Sequence, residues 1–268
     1  MLQAEALKEL TLKITELTKE VGTYILQQRQ EIGRENIEKK GFNDFVTYVD
    51  KSAERKLVEG LEVLLPEAAF IAEEQTLEQK SAPYTWIVDP LDGTTNFIHG
   101  LTPFAISIGL MHEQEMIAGV VHELSLDECF YAWKAGGAWL NGHPIQCSST
   151  TALSDSLIAT GFPYNDYTRM RNFTNSLTYF MQHTHGIRRL GSAATDLAYV
   201  ACGRFEAFYE YSLKPWDVAA GSLLVQEAGG DVADFSGENN YLFGQEIIAA
   251  TAPVFKEFSS IIKKFMQA

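Results

Sequence analysis

The sequence predicts a mixed α/β (α+β) protein whose two closely joined lobes share one site. Three observations carry this. An apolar stripe of helical period opens the chain, two strand-rich zones follow in succession, and apolar strands end on acidic residues. Leu7, Leu10, Ile14, Leu17, Val21 and Ile25 recur at three- and four-residue steps, the core stripe of a long amphipathic helix. A coiled coil would need more heptads than are present. A second helix is expected from about Lys51 to Leu65, ended by Pro66. Phe70 to Ala72 and Tyr84 to Val88 read as short strands that deliver Glu73 and Asp89 at their ends. From Phe104 to about Trp139 the pattern is an antiparallel meander, with Gly136-Gly137 and Asn141-Gly142 marking turns. Leu157 to Thr160 is a strand, Thr168 to His183 a helix, Ala193 to Cys202 a helix stopped by Gly203, and Phe205 to Tyr211 a strand. Pro215 opens a helix that runs to Ala228 before Gly229-Gly230. Val232 to Phe235 and Ile247 to Ala250 close a second sheet, and a terminal helix follows Pro253. There is no repeat or low-complexity tract. The lobes are expected to meet near residue 150, as 1–150 and 151–268 of one domain.

Composition narrows the function classes. A net charge of −14 disfavours nucleic-acid or anionic-membrane binding through bulk charge. The 46% hydrophobic fraction is ordinary for a globular protein, and no run approaches the length of a membrane helix. Cys129, Cys147 and Cys202 are far apart and have neither zinc-type spacing nor a disulfide framework, so a reducing, cytoplasmic setting is expected. Glu and Lys interrupt the apolar positions of the N-terminus, unlike the core of a signal peptide.

The chemistry concentrates at Trp86-Ile87-Val88-Asp89-Pro90-Leu91-Asp92-Gly93-Thr94-Thr95-Asn96-Phe97. In a straight strand Asp89 and Asp92 would face opposite sides, so the chain is expected to turn at Pro90 if both serve one site. The same turn would free the Leu91 carbonyl. Gly93-Thr94-Thr95 then offers amides and hydroxyls to an anion or caps a following helix. Glu73 and Asp217 add acids at the ends of other elements, with Asp217 in the first turn of the helix opened by Pro215. Four carboxylates and a carbonyl form a hard oxygen site, suited to Mg²⁺ more than to zinc. The spacing differs from the alternating acids of a calcium loop and from the Asp-x-Asp of phosphatases that use an aspartate nucleophile.

At these residues the chain resembles the inositol monophosphatase family. Asp89-Pro90-Leu91-Asp92-Gly93-Thr94-Thr95-Asn96-Phe97 is similar to its first signature, and Pro215-Trp216-Asp217-Val218-Ala219-Ala220-Gly221 to its second. Asp44 to Asp50, Ile71 to Glu74, Thr160 to Tyr164, Gly191 to Ala194 and Phe208 to Glu210 resemble further landmarks. The resemblance implies a layered αβαβα sandwich of the inositol monophosphatase / fructose-1,6-bisphosphatase type. It implies a lithium-sensitive phosphomonoesterase in which water activated by Mg²⁺ attacks phosphorus directly, and a homodimer. Glu73, Asp89 and the Leu91 carbonyl would hold one Mg²⁺, Asp89, Asp92 and Asp217 a second, and a third would sit near Glu73. Gly93 and Thr94 would bind phosphate through their amides. Thr94, bonded to Asp50, would help activate water, with Glu73 as a competing base. Glu210, Asp92, Asp217 and the Gly191-Ser192-Ala193 segment would meet the leaving group, with Arg188 nearby.

Several residues keep a second reading. Thr94 could be a helix cap, Asp50 could cap the helix expected at Lys51, and Glu210 could be a solvated edge charge. Arg188 or Arg189 could pair with surface acids, and His99 reads as a loop residue. Lys39 and Lys40 fall where a mobile loop is expected, flanked by Phe42 and Tyr48. The same motifs are compatible with fructose-1,6-bisphosphatase, histidinol-phosphate phosphatase or bisphosphate nucleotidase activity. From a different class, a protein-binding, regulatory role could accompany the metal site.

Overall fold

The computed structural model describes residues 2–31, 37–41, 44–74, 82–164 and 166–267. Helices and sheets alternate in five layers. The first is α1 (Ala4–Glu31) with α2 (Tyr48–Leu64), whose stripe of Leu7, Leu10, Ile14, Val21 and Ile25 is buried with Val49, Ala53, Leu57 and Leu61. They cover a seven-stranded sheet in simple meander order: β3 (Ala69–Ala72), β4 (Tyr84–Asp92), β5 (Ala105–His112), β6 (Glu115–Glu123), β7 (Glu128–Trp133), β8 (Ala138–Leu140) and β9 (His143–Ile145). The pair β3–β4 is parallel and the others are antiparallel.

The middle layer is α5 (Ala193–Ala201) with α6 (Pro215–Glu227). Beyond it lies a five-stranded sheet in the order β11 (Gly186–Arg188), β10 (Leu157–Thr160), β12 (Ala207–Tyr211), β14 (Glu246–Thr251) and β13 (Gly230–Ala233). The last layer is α4 (Met170–His183) with α7 (Ala252–Met266). The layered αβαβα sandwich implied by the resemblance is the observed architecture. Because α6 lies between two sheets, it is apolar nearly all round and buries Val218, Ala219, Ala220, Leu223, Leu224 and Val225. Its core joins Ile87, Ala105 and Val121 of one sheet to Ala159, Phe208 and Ala249 of the other.

Some elements differ from expectation. A hairpin of β1 (Ile37–Gly41) and β2 (Asp44–Thr47) stands where a loop around Lys39 and Lys40 was expected, and Phe42 lies outside the described residues. Helix α2 begins at Tyr48, so Asp50 lies inside its first turn and is no cap for a helix starting at Lys51. A short helix, α3 (Thr94–His99), takes in His99, which the sequence had suggested as a loop residue. Among the described residues no helix is long and apolar enough to cross a membrane.

Candidate active site

The expected turn at Pro90 is absent. Strand β4 continues through Pro90 to Asp92 and carries a bulge: Asp89 pairs with Ser107 and Asp92 with Ala105, three steps against two. The extra residue cancels the alternation of a strand, so acids three apart reach the same side. Asp217 meets them from the first turn of α6. The Lys214 amide donates to its Oδ2 at 2.6 Å, and the Ser107 hydroxyl donates to the Trp216 carbonyl at 3.2 Å, fastening this helix start to β5. One carboxylate oxygen each from Asp89, Asp92 and Asp217 lie within 4.8 Å of one another. Glu73, one residue past β3, shares a hydrogen bond with Asp89.

The electrostatics of this group are those of crowded acids. Burial, and then the charges of Glu73, Asp92 and Asp217, push Asp89 well above the usual carboxylate range. Burial raises Asp217 well above that range too, with the Asp92 charge adding to it. Asp92 is pushed up to about 6 by burial, although the Ser192 hydroxyl and the Ala194 amide donate to its Oδ2 at 2.7 and 2.8 Å. Asp89 is buried and Asp92 and Asp217 are half-buried, and a cation joining carboxylates this close relieves the repulsion that opposes their ionising together. A donor set of oxygens fits a hard divalent ion.

Thr94 stands beside the acids. Its hydroxyl lies 2.9 Å from the Leu91 carbonyl and 3.1 Å from Oδ1 of buried Asp50. It has one proton for these two acceptors. Gly93, left-handed at φ +85°, holds the N-cap position of α3, which has no side-chain cap; Thr94 therefore does not cap it. A β-carbon on Gly93 would lie 2.9 Å from the Pro103 carbonyl.

Glu73, Asp89, Leu91, Asp92, Gly93, Thr94 and Asp217 line a pocket of about 390 Å³ with Gly191, Ser192, Ala193 and Glu210. Glu210, near the end of β12, is buried and pushed up to about 8 by that burial, with the Arg189 charge lowering it and the Asp92 charge raising it. It is not a solvated edge charge. Arg188 does not line the pocket: its exposed guanidinium donates to its own neighbour, the Ile187 carbonyl. Arg189 lines it instead, with Phe162, Tyr164 and Lys214. Arg189, and not the expected Arg188, is therefore the arginine of the pocket; β11 has three residues, too short a pattern to show in the sequence which side each faces. Asp196, one turn into α5, is a further buried acid that no sequence motif marks. A wider hollow of about 520 Å³ lies between α1 and α2. Among the described residues it brings no cluster of ligating acids together.

Known proteins resemble this chain over most of its length. The profile of the inositol monophosphatase family matches residues 6–267. The chain is 44% identical over 224 residues to a Neisseria meningitidis protein named putative Nus factor SuhB, covering 83% of this chain and 86% of that one. It is 38% identical over 230 residues to an inositol-1-monophosphatase of Mesorhizobium japonicum, covering 85% and 86%. Its structure matches the IMPase of Thermotoga maritima with a TM-score of 0.86 at 34% identity, over 97% of this chain and 98% of that one. Agreement over almost the full length, in sequence and in layer order, settles the family: the chain belongs to the inositol monophosphatases.

Proposed function

We propose that this chain is a Mg²⁺-dependent phosphatase that hydrolyses an inositol monophosphate to inositol and phosphate. The observation that carries the reading is the convergence of Asp89, Asp92 and Asp217 within 4.8 Å on the pocket wall. Glu73, Asp89, the Leu91 carbonyl, Asp92 and Asp217 would hold two Mg²⁺, or three. When bound, the ions supply charge for the phosphate oxygens and acidify water. Gly93 and Thr94 orient the phosphate through their amides. The Thr94 hydroxyl, shared between Asp50 and the Leu91 carbonyl, takes a proton from the attacking water as it passes its own to Asp50, and Glu73 is the alternative base. Asp92, Asp217, Gly191, Ser192, Ala193 and Glu210 surround the leaving group. Positioning and charge neutralisation supply most of the rate in such transfers.

Phosphate release from myo-inositol 1-phosphate, fructose 1,6-bisphosphate, histidinol phosphate and 3′-phosphoadenosine 5′-phosphate tests the reading. The inositol ester is expected to have the highest kcat/KM. A preference for one of the others would replace the substrate and keep the reaction class. Wild-type rates in Asp92→Asn or Asp217→Asn would remove the reaction class itself. Inhibition by Li⁺, a homodimer, a cytoplasmic setting and a single domain of two lobes meeting near residue 150 belong to the same proposal.

A second reading is favoured by the name of the Neisseria relative, a putative Nus factor. A transcription-linked, protein-binding role would coexist with the phosphatase site. Capture of a partner by Asp217→Asn protein as well as by wild type would support it, and failure of both would remove it.

A further inference from the structure

We infer that Arg189 is a specificity-determining residue. It donates a hydrogen bond to one hydroxyl of the leaving group while Glu210 accepts one from the neighbouring hydroxyl. The site thereby selects phosphate monoesters of cyclic polyols with a free hydroxyl pair beside the ester. The inference rests on the phosphatase reading above and names the chemistry of its leaving group.

The guanidinium of Arg189 is held by aromatic rings. Its carbon lies 5.3 Å from the ring centre of Phe162 and 5.6 Å from that of Tyr164, and its Nη2 donates to the Tyr164 hydroxyl at 2.5 Å. Stacking and one tether fix a long side chain without neutralising it. Asp92, Asp196 and Glu210 all feel its charge, yet no described carboxylate lies within ion-pairing distance of it. Its buried Nε has no hydrogen-bond partner among the described residues. A guanidinium carries five N–H groups, so donor capacity remains unused beside the acids. Leaving such groups unpaired is costly, and native structures keep few of them.

The neighbouring backbone is shaped to admit this cation. Gly191 has φ +94°, and a β-carbon there would lie 2.5 Å from Arg189 Nη1. Glu210, which lines the same pocket, occupies the space in front of Gly161. The pocket therefore presents a donor and an acceptor around one leaving-group position. A hydroxyl both gives and takes a hydrogen bond, so two adjacent hydroxyls are read by one donor and one acceptor. Phe162 and Tyr164, both partly exposed and lining the pocket, offer flat apolar faces to the C–H edge of a ring. A second phosphate beside the ester would instead confront Glu210 and Asp92 on the pocket wall. Exposed Arg188 has no part in this reading.

The test uses the full chain with Mg²⁺ and compares kcat/KM for myo-inositol 1-phosphate and for propyl phosphate, which has no leaving-group hydroxyl beyond the ester. Arg189→Gln is expected to lower the inositol-to-propyl ratio about 10–100-fold, because polar groups built to meet a hydroxyl discriminate strongly. Arg189→Lys is expected to fall between the two, and Tyr164→Phe to lower the ratio about threefold by loosening the tether. Arg188→Gln is expected to keep the wild-type ratio. A wild-type ratio in folded Arg189→Gln, or an equal loss in Arg188→Gln, overturns the inference and leaves the phosphatase reading standing. Wild-type protein that releases phosphate from neither ester overturns the phosphatase reading and this inference with it. Should Arg189→Gln fail to fold, the ratio in Arg189→Lys decides.

Discussion

The carboxyl group of Glu210 fills the place of a side chain at Gly161: a β-carbon built on residue 161 would lie 1.9 Å from the Glu210 carboxyl carbon. Strands β10 and β12 are parallel, with Thr160 beside Tyr209, so the first residue past β10 faces the acid across the strands. Gly161→Ala leaves the backbone conformation accessible and forces the carboxylate to move. The expected result is a KM for the polyol ester raised about tenfold with kcat changed much less, since uniform binding is what is lost. A Michaelis constant equal to wild type would mean that Glu210 does not touch the leaving group.

The same acid makes a pH prediction for stability in chelator. Its ordinary value is 4.5, and burial pushes it up to about 8 in the folded state. The folded state thus favours the neutral form. The penalty for ionising it is absent below about pH 4.5, grows as pH rises, and is complete above about pH 8. Glu210→Gln cannot ionise, so its melting temperature relative to wild type is expected to climb across that window and then level off. Parallel wild-type and variant melting curves from pH 4.5 to 8 would contradict the assignment.

How much of this could be read beforehand depends on the range of each interaction. Periodicity exposes α1 because its apolar positions repeat over many turns, whereas α6, apolar nearly all round, is legible from Pro215 and Gly229-Gly230 at its ends. The acids of residues 89–97 stand out because strand, acid and turn are adjacent in sequence. The β4 bulge is not legible there, since it is defined by pairing with Ser107 and Ala105 on another strand. Arg188 and Arg189 are indistinguishable for the same reason: which one faces the pocket is decided by how β11 docks against β10, Ala159 beside Arg188. Glu210 is recognisable as the end of a strand, but its space is made by Gly161, far away in sequence.

Removing one acid is expected to stabilise the metal-free protein. Asp217 is held well above the usual carboxylate range by burial and by Asp92. Asp217→Asn keeps an oxygen to accept the Lys214 amide and removes a charge. In chelator its melting temperature should rise by about 2–4 °C, the equivalent of roughly 1 kcal/mol for a domain of this size. Saturating Mg²⁺ should reverse the order, because an ion at 100 times its Kd stabilises wild type by about 2.7 kcal/mol. Differential scanning fluorimetry in both conditions checks this. A variant less stable than wild type in chelator would mean that the acids do not repel one another.

Thr94 is expected to act in turnover more than in binding. Its one proton serves either Asp50 or the Leu91 carbonyl, at 3.1 and 2.9 Å. Thr94→Val preserves shape and removes the proton. Losing a positioned proton carrier lowers kcat by about 10²–10⁴-fold. Thr94→Ser should recover most of the rate, and Asp50→Asn should resemble Thr94→Val. Steady-state kinetics with a melting curve for each variant separate this from unfolding. Near-normal kcat in Thr94→Val would leave Glu73 as the base.

The approach of Asp217 to the other acids depends on two glycines of the first sheet. Gly109 and Gly119 are paired across β5 and β6, facing α6. A β-carbon on Gly109 would lie 3.0 Å from the Ala219 β-carbon, and one on Gly119 would lie 2.8 Å from the Ala220 carbonyl. On its other side α6 is pressed by α5, where a β-carbon on Gly221 would lie 2.5 Å from that of Leu197. With the first sheet on one side and the Leu197 side chain of α5 on the other, the helix has little lateral room, and its first turn carries Asp217. Gly119→Ala should therefore cost about 1–3 kcal/mol of stability as an overpacked core. It should also weaken Mg²⁺ binding, since moving α6 off the sheet carries Asp217 away from Asp89 and Asp92. Calorimetric titration of folded Gly119→Ala with Mg²⁺ measures the second effect apart from the first. A lowered melting temperature with wild-type Mg²⁺ affinity would show that the loop before Pro215, and not the packing of α6, sets the position of Asp217.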